Sequence, residues 1–500
     1  MYLLFCSAGE RVEHEYNLGH VMMLLLESSA SSCHRFQSTS VHGLAVRNVS
    51  PAEIRTENGV LGRRTERLTE YFEILGGNRL SGHVSISGAK NSALAVLAGA
   101  LCSEQELNLQ MIPDLHDIHS MVQVLQSVGA KVKRSGADVT VDASEISSLE
   151  PCSEASGKLR ASFFVIGALL GRKGQAVVPL PGGCDIGARP IDLHVRGLRA
   201  LGAQVDVRQG KVYATALNGK RLTGGRFHLD FPSVGATETL MMAAALADGE
   251  TVLSNVAREP EVIDLAQFLI SCGAKIVGLG TSTLAIQGVE KLHGTDYRII
   301  PDRIETGTFL IAAAITRSSI SMSPALPHHL AAVTEKLQQI GCKIQQPSSD
   351  SLLISPGRGL SSTSVTTSPH PGFPTDLQPQ FMTLMTTCTG RSVIEETVFE
   401  GRMRHVEQLR KLGAKVMVNK SVAVVYGRDQ GSHLRGVPVT ATDLRAGAAL
   451  VLAGLAADGT THVEGISHID RGYELFDHKL RLLGARIERR ATLPVELMTL

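Results

Sequence analysis

Between Pro181 and His194 the chain reads Pro-Gly-Gly-Cys-Asp-Ile-Gly-Ala-Arg-Pro-Ile-Asp-Leu-His, a stretch that concentrates reactive side chains among residues that resist regular structure. Three glycines and two prolines around Cys184, Asp185 and Arg189 predict a loop. A guanidinium beside a thiol favours the thiolate, so Cys184 in such a loop suits proton transfer or nucleophilic attack. The competing reading is a small, inert hydrophobe, the commoner fate of a lone cysteine.

A second candidate site is Ser87-Gly88-Ala89-Lys90-Asn91-Ser92-Ala93-Leu94. It reads as a strand running into a helix start, where backbone N–H groups and an ammonium converge on one spot and favour an anion. Taken alone, Lys90 reads equally as a solvated side chain. Charge recurs at other predicted helix starts: Asp376 in Pro374-Thr375-Asp376-Leu377, Asp443 and Arg445 in Thr442-Asp443-Leu444-Arg445, and Arg471 in His468-Ile469-Asp470-Arg471. Arg402 follows Phe399-Glu400-Gly401, Arg160 sits in Lys158-Leu159-Arg160-Ala161-Ser162, and Glu259 in Ala257-Arg258-Glu259-Pro260-Glu261. A helix cap, at about 1 kcal/mol, is the plain explanation of Asp376 and Asp443. It does not explain Arg445, two residues past such a cap. Several arginines facing one place suit a small polyanion held by forked hydrogen bonds.

The elements that must position these groups are written as a repeat. A helix-like run ends in glycine at Gly129, Gly202, Gly273, Gly341, Gly413 and Gly484, at intervals of 73, 71, 68, 72 and 71 residues, and each is followed by a short alternating segment such as Ala414-Lys415-Val416-Met417-Val418. The glycine closes a helix and the alternation predicts a half-buried strand. Upstream in the units lie runs such as Met241–Leu246 and Leu450–Leu455, apolar nearly all round and therefore predicted as buried helices. A unit of about 70 residues cannot bury both of its helices alone. Six copies imply two domains of three units with helices inside and sheets outside. The crossing falls near Arg298-Ile299-Ile300-Pro301 and the site in the cleft between the halves.

The 500 residues are 43% hydrophobic and 19% charged, with a formal net charge of +1. That balance excludes a global field for nucleic acid and leaves only a local anion site. Eight cysteines form no CxxC pair and no metal-ligand spacing, which predicts a reducing compartment, no metal and no disulfide framework. No apolar run is long enough to span a membrane. Residues 1–68 stand outside the repeat. Their Ser- and Arg-rich stretch from Ser28 to Arg67, behind Met22-Met23-Leu24-Leu25-Leu26, resembles an organelle transit peptide. Glu10, Glu13, Glu15 and Glu27 fit that reading poorly unless translation starts at Met22 or Met23, and a disordered extension or a mispredicted first exon, on a cytoplasmic protein, is the alternative.

The motifs, taken in order, resemble the enolpyruvyl transferases, and within them the branch that acts on UDP-N-acetylglucosamine. The resemblance runs from about residue 72 to 489 and rests on SGAKNSAL, LRAS, PGGCDIGARPIDLH, SVGAT, AREPE, PDRIETGTF, PHPGFPTDLQ, TVFEGR, ATDLRA and HIDRGYE. It implies a two-domain inside-out α/β barrel of six units: 90–300 forms the first domain and carries the Cys184 loop, while 71–89 with 301–500 forms the second. It implies transfer of the enolpyruvyl group of phosphoenolpyruvate to a sugar 3-hydroxyl with release of phosphate, without a cofactor. Cys184 would then be the acid and Asp376 the base, with Lys90 also catalytic. Lys90, Asn91, Arg189, Arg402, Arg445 and Arg471 would hold phosphoenolpyruvate. The sugar nucleotide would meet Asn91, Arg160, Arg189, Pro190, Ile191, Asp192, Leu193, Ser233, Val234, Gly235, Asp376 and Val398, with Glu259 as a positioning group. Pro232 stands where some members carry a basic residue. The sister reaction on shikimate 3-phosphate, and an inactive binding homologue, are the rival expectations.

Overall fold

The computed structural model describes residues 69–492 apart from 183–185, 188 and 358. The tail predicted over residues 1–68, and Cys184, lie outside the described residues.

Each repeat glycine does what its position in the sequence requires. Gly129, Gly202, Gly273, Gly341, Gly413 and Gly484 all adopt φ between 93° and 110°, a region that L side chains enter with strain. At five of them the next residue's N–H reaches back over the helix end: Ala130 to Leu125, Ala274 to Leu269, Cys342 to Leu337, Ala414 to Leu409 and Ala485 to Leu480, at 2.9–3.1 Å. This is the Schellman closure, which satisfies a carbonyl the helix leaves open. The strand that follows turns back antiparallel on a second one, as Lys415–Asn419 does on Val422–Tyr426.

The runs predicted as buried are six helices: Lys90–Gly99, Val165–Lys173, Val234–Ala245, Arg303–Ile315, Gln378–Met385 and Leu444–Ala456. Most of their side chains are buried, the alanine-rich stretches completely. They carry two apolar cores. One gathers residues from Ala93 to Ile299, the other Phe72 to Ile86 together with Ile304 to Ile487. Among the described residues the strands form six sheets. Five have four strands, an antiparallel trio flanked by one parallel strand, and one has three. In the three-stranded sheet the missing edge is represented by a single hydrogen bond, Val177 N–H to the Leu149 carbonyl at 2.9 Å. Thr69–Leu75 pairs with Thr460–Glu464 and Arg486–Thr492, and Ser81–Ser85 pairs with Ser319–Ser323, so the first two strands belong to the sheets of the second core.

The chain crosses between the cores twice, and the crossings run side by side. Ala89 N–H donates to the Ile300 carbonyl at 2.8 Å and Asp302 N–H to that of Ser87 at 2.9 Å. A Cβ on Gly88 would collide with the Met111 carbonyl, so the close approach requires glycine there. Lys90 and Arg303 emerge from this double crossing as the first residues of their helices.

Candidate active site

A cavity of about 730 Å³ lies between the two cores, within the size range of small-molecule sites. The candidates Lys90, Asn91, Arg160, Arg189, Pro190, Asp192, Leu193, Ser233, Val234, Gly235, Asp376, Val398, Arg402, Arg445 and Arg471 line it, as does Glu259. Ile191 packs instead against the first core.

At one end the cations are organised by carboxylates. Lys90 is 8% exposed, and its ammonium donates to Asp117 Oδ2 at 3.1 Å. Arg471, from the other core, donates Nε to Asp117 Oδ1 at 2.7 Å. Burial works to raise the Asp117 carboxyl, but Lys90 and Arg471 outweigh it and hold the group below its ordinary range. The anion pocket expected at the helix start is partly filled by the protein itself. Asp302 caps its own helix by accepting from Ile304 and Glu305 N–H, and also accepts the Lys90 backbone N–H at 3.2 Å. Lys90 therefore offers its ammonium rather than its amide.

Asp376 is not a cap, unlike Asp443, whose carboxylate accepts from Arg445 and Ala446 N–H. Its Oδ1 accepts from Arg402 Nη2 at 2.7 Å and its Oδ2 from Arg445 Nη2 at 3.0 Å. Arg402 and Arg445 are 3% and 2% exposed, and Arg402 Nε with Arg445 Nε and Nη1 are buried without hydrogen-bond partners. Buried donors left unmade are costly, and charged ones more so, which marks this as a place for an anion. Beside it, Glu396 pins the segment that carries Val398. One of its oxygens accepts from Val398 and Phe399 N–H, and the other from Thr375 next to Asp376.

The cavity is also lined by the start of a core helix. Ser233 caps the helix Val234–Ala245, its Oγ accepting from Ala236 N–H. A side chain on Gly235 would stand 3.2 Å from Phe164 and 3.4 Å from His194, so the glycine keeps this helix start open. His194 is held neutral: burial, then the nearby Arg160, pushes it down to about 3. Arg160 donates to the Arg189 carbonyl and, at 3.4 Å, to that of Pro190, fixing the backbone of Arg189–Pro190.

The described ends of the Cys184 loop reach across the cleft. Gly401 N–H donates to the Ile186 carbonyl at 3.1 Å, and the Phe399 ring has the guanidiniums of Arg189 and Arg402 each 5.5 Å from its centroid. A Cβ on Gly187 would meet Glu400, and one on Gly401 would meet the Ile186 backbone at 2.7 Å. These glycines let two loops from opposite sides touch.

Of the seam along the cavity, sequence reasoning picked out Glu259 alone and missed its neighbours. Glu261 accepts both Arg303 Nε at 2.9 Å and Arg303 Nη2 at 3.1 Å, and Glu259 accepts His370 N–H at 3.1 Å, so both glutamates join one core to the other. Near them Glu238, which also lines the cavity, is 1% exposed, and neither carboxylate oxygen has a partner. Burial, with Glu261 and Glu259 nearby, pushes Glu238 well above the usual carboxylate range. A raised native value means the folded chain holds a proton that the unfolded chain releases, so Glu238 costs stability progressively as pH rises above about 4.5. Glu238→Gln is therefore expected to gain melting temperature relative to wild type between pH 5 and pH 8. A wild-type-minus-variant difference that stays flat over that range would refute the buried acid.

Among the described residues, no group of His, Cys, Asp and Glu side chains could hold a metal ion, and no helix is long and apolar enough to cross a membrane. What the cavity offers is a dense set of cations around two doubly held carboxylates, Asp117 and Asp376, next to a loop that bridges the cleft.

Residues 74–480 match the family model described as EPSP synthase (3-phosphoshikimate 1-carboxyvinyltransferase). The UDP-N-acetylglucosamine 1-carboxyvinyltransferase of Gloeobacter violaceus is 53% identical over 425 residues, covering 85% of this chain and 91% of its own. That of Nostoc sp. is 52% identical over 427 residues, covering 85% and 95%. Among solved structures, the enolpyruvyl transferase NikO from Streptomyces tendae superposes with a TM-score of 0.77 at 28% identity, covering 85% of this chain and all of that one. The EPSP synthase of Acinetobacter baumannii shares the fold, with a TM-score of 0.64 at 18% identity over 84% of this chain and all of its own.

Proposed function

Because the chain belongs to the EPSP synthase family of enolpyruvyl transferases, we propose that it moves the enolpyruvyl group of phosphoenolpyruvate onto the 3-hydroxyl of UDP-N-acetylglucosamine, releasing phosphate, as a step of peptidoglycan precursor synthesis. The observation that carries the reading is Asp376 held between two buried arginines that keep unmade donors, in a cavity of about 730 Å³ that Ser233, Val234 and Gly235 also line.

The chemistry sets the requirements. As the acceptor oxygen bonds to C2 of the enol, its proton must leave and C3 must gain one, giving a methyl group. C3 then returns a proton, the bond from C2 to the phosphate oxygen breaks, and the double bond re-forms. Asp376 takes the hydroxyl proton, Cys184 serves C3, and Lys90, Arg189, Arg402, Arg445 and Arg471 bear the charge of phosphate and carboxylate. Asn91 sits where the two substrates meet. Arg160, with the Arg189–Leu193 segment, Ser233–Gly235 and Val398, receives the sugar nucleotide. Glu259, bonded across the seam to His370, keeps the two sides in register.

The test is acceptor choice. Purified full-length protein with phosphoenolpyruvate should release phosphate with UDP-N-acetylglucosamine and not with shikimate 3-phosphate, and the reverse result would move the chain to the sister reaction. The cyanobacterial relatives and the Ser/Arg-rich start together support a plastid enzyme. Amino-terminal sequencing of the native protein should then find a mature start beyond residue 30, and an earlier start would contradict import by cleavage.

A further inference from the structure

The arrangement around Asp376 poses a problem for its assigned role. A base must be free to take a proton, yet both oxygens of this carboxylate already accept from guanidiniums, Oδ1 from Arg402 and Oδ2 from Arg445. Burial alone would raise its proton affinity, but Arg445, Arg402 and Lys90 outweigh burial and hold it below the usual carboxylate range. So placed, Asp376 is ionised but nearly inert toward a sugar hydroxyl. The arginines, by contrast, are not saturated. Arg402 Nε is buried and unpartnered, Arg445 Nε and Nη1 are buried and make no hydrogen bond of ordinary geometry although Tyr473 lies beside that guanidinium, and each guanidinium can serve two anions at once through its fork.

We propose that the donor's own anion switches the base on. By taking the N–H groups that Arg402 and Arg445 leave unmade, it draws their charge away from Asp376, so this carboxylate becomes able to accept the acceptor's proton only when the donor is seated. The inference rests on the reading that the donor is a phosphorylated enol acid. The proton passes from the sugar 3-oxygen to an Asp376 oxygen as that sugar oxygen bonds to C2, and nothing is oxidised or reduced. The physical basis is local: a negative charge beside each guanidinium cancels much of the field that Asp376 feels at hydrogen-bond distance in a buried site. The same arrangement would keep the site from abstracting a proton when only the acceptor is bound. Arg402 and Arg445 thus act on the chemistry through Asp376 as well as by holding the donor.

The experiment follows the protonation of Asp376 directly, in full-length protein labelled with carbon-13 at the aspartate side-chain carboxyls, with inorganic phosphate as the probe. The Asp376 signal is identified by its loss in Asp376→Asn. Without phosphate the signal should stay in its ionised position at every pH at which the protein remains folded. With saturating phosphate the signal should begin to titrate within the pH range over which the protein remains folded. Arg445→Gln and, separately, Arg402→Gln should raise the phosphate-free titration and shrink the further rise. A wild-type signal that stays put while phosphorus NMR shows phosphate bound would overturn the proposal, whether or not either variant folds. Because the measurement requires no turnover, it remains decisive even if UDP-N-acetylglucosamine proves not to be the acceptor.

Discussion

Replacing Asp376 with asparagine is expected to lower kcat by about 10²–10⁴-fold, the usual range for a lost general base, while changing the affinity for UDP-N-acetylglucosamine little. The side chain keeps its shape, and its one amide oxygen can still accept from Arg402 or Arg445 while its NH2 faces the other guanidinium, so the cavity should survive. What disappears is the one carboxylate shared by these two guanidiniums, and with it the proton acceptor. Two buried arginines then face each other with less compensation. The donor's affinity should therefore rise or hold while turnover collapses, a pattern that general damage to the fold would not produce. Calorimetric titration of the nucleotide beside steady-state rates separates the outcomes: a variant with near-normal kcat would remove Asp376 from the chemistry.

The second large effect is expected at Cys184. Cys184→Ala should bind the sugar nucleotide normally and lose most of its turnover, again by about 10²–10⁴-fold for a missing acid. The thiol belongs to a loop whose described flank, Ile186 and Gly187, meets Glu400 and Gly401 across the cleft. An electrophilic epoxide, fosfomycin, should alkylate the wild-type protein at Cys184 and leave Cys184→Ala unmodified. Peptide mass mapping that finds the adduct on another cysteine, or unimpaired activity after exposure, would argue against a reachable, reactive thiol.

The frame was legible in the sequence because its signals are local. A glycine that must take positive φ, a run apolar on all faces and an alternating segment each announce themselves within about a dozen residues. The cations of the site were legible for a different reason: they interrupt the repeat. What escaped is the set of carboxylates that fixes them, because these partners are distant in the chain and look ordinary where they stand. Asp117 is an unremarked acid at the start of an amphipathic helix, and its partner Arg471 is 354 residues away. Asp302 reads as a cap, which it is, and nothing nearby says that it also binds the Lys90 backbone. Glu396 and the Glu261–Arg303 pair are likewise defined only by the fold. Glu238 lies inside a helix that reads as plain core, and an acid at such a position was the one available signal of something unusual. The reading of Asp376 as a cap was reasonable from spacing and wrong in geometry, because its helix start is a single 3₁₀ turn, Thr375–Leu377, that leaves the carboxylate free to meet two arginines.

The account as a whole stands on one reaction. Full-length protein incubated with phosphoenolpyruvate and UDP-N-acetylglucosamine, followed by phosphorus and proton NMR, should yield one phosphate for each sugar nucleotide that acquires an enol ether at its 3-oxygen, with neither product when one substrate is omitted. Phosphate released without the enol ether, or no reaction under conditions in which both substrates demonstrably bind, would contradict it.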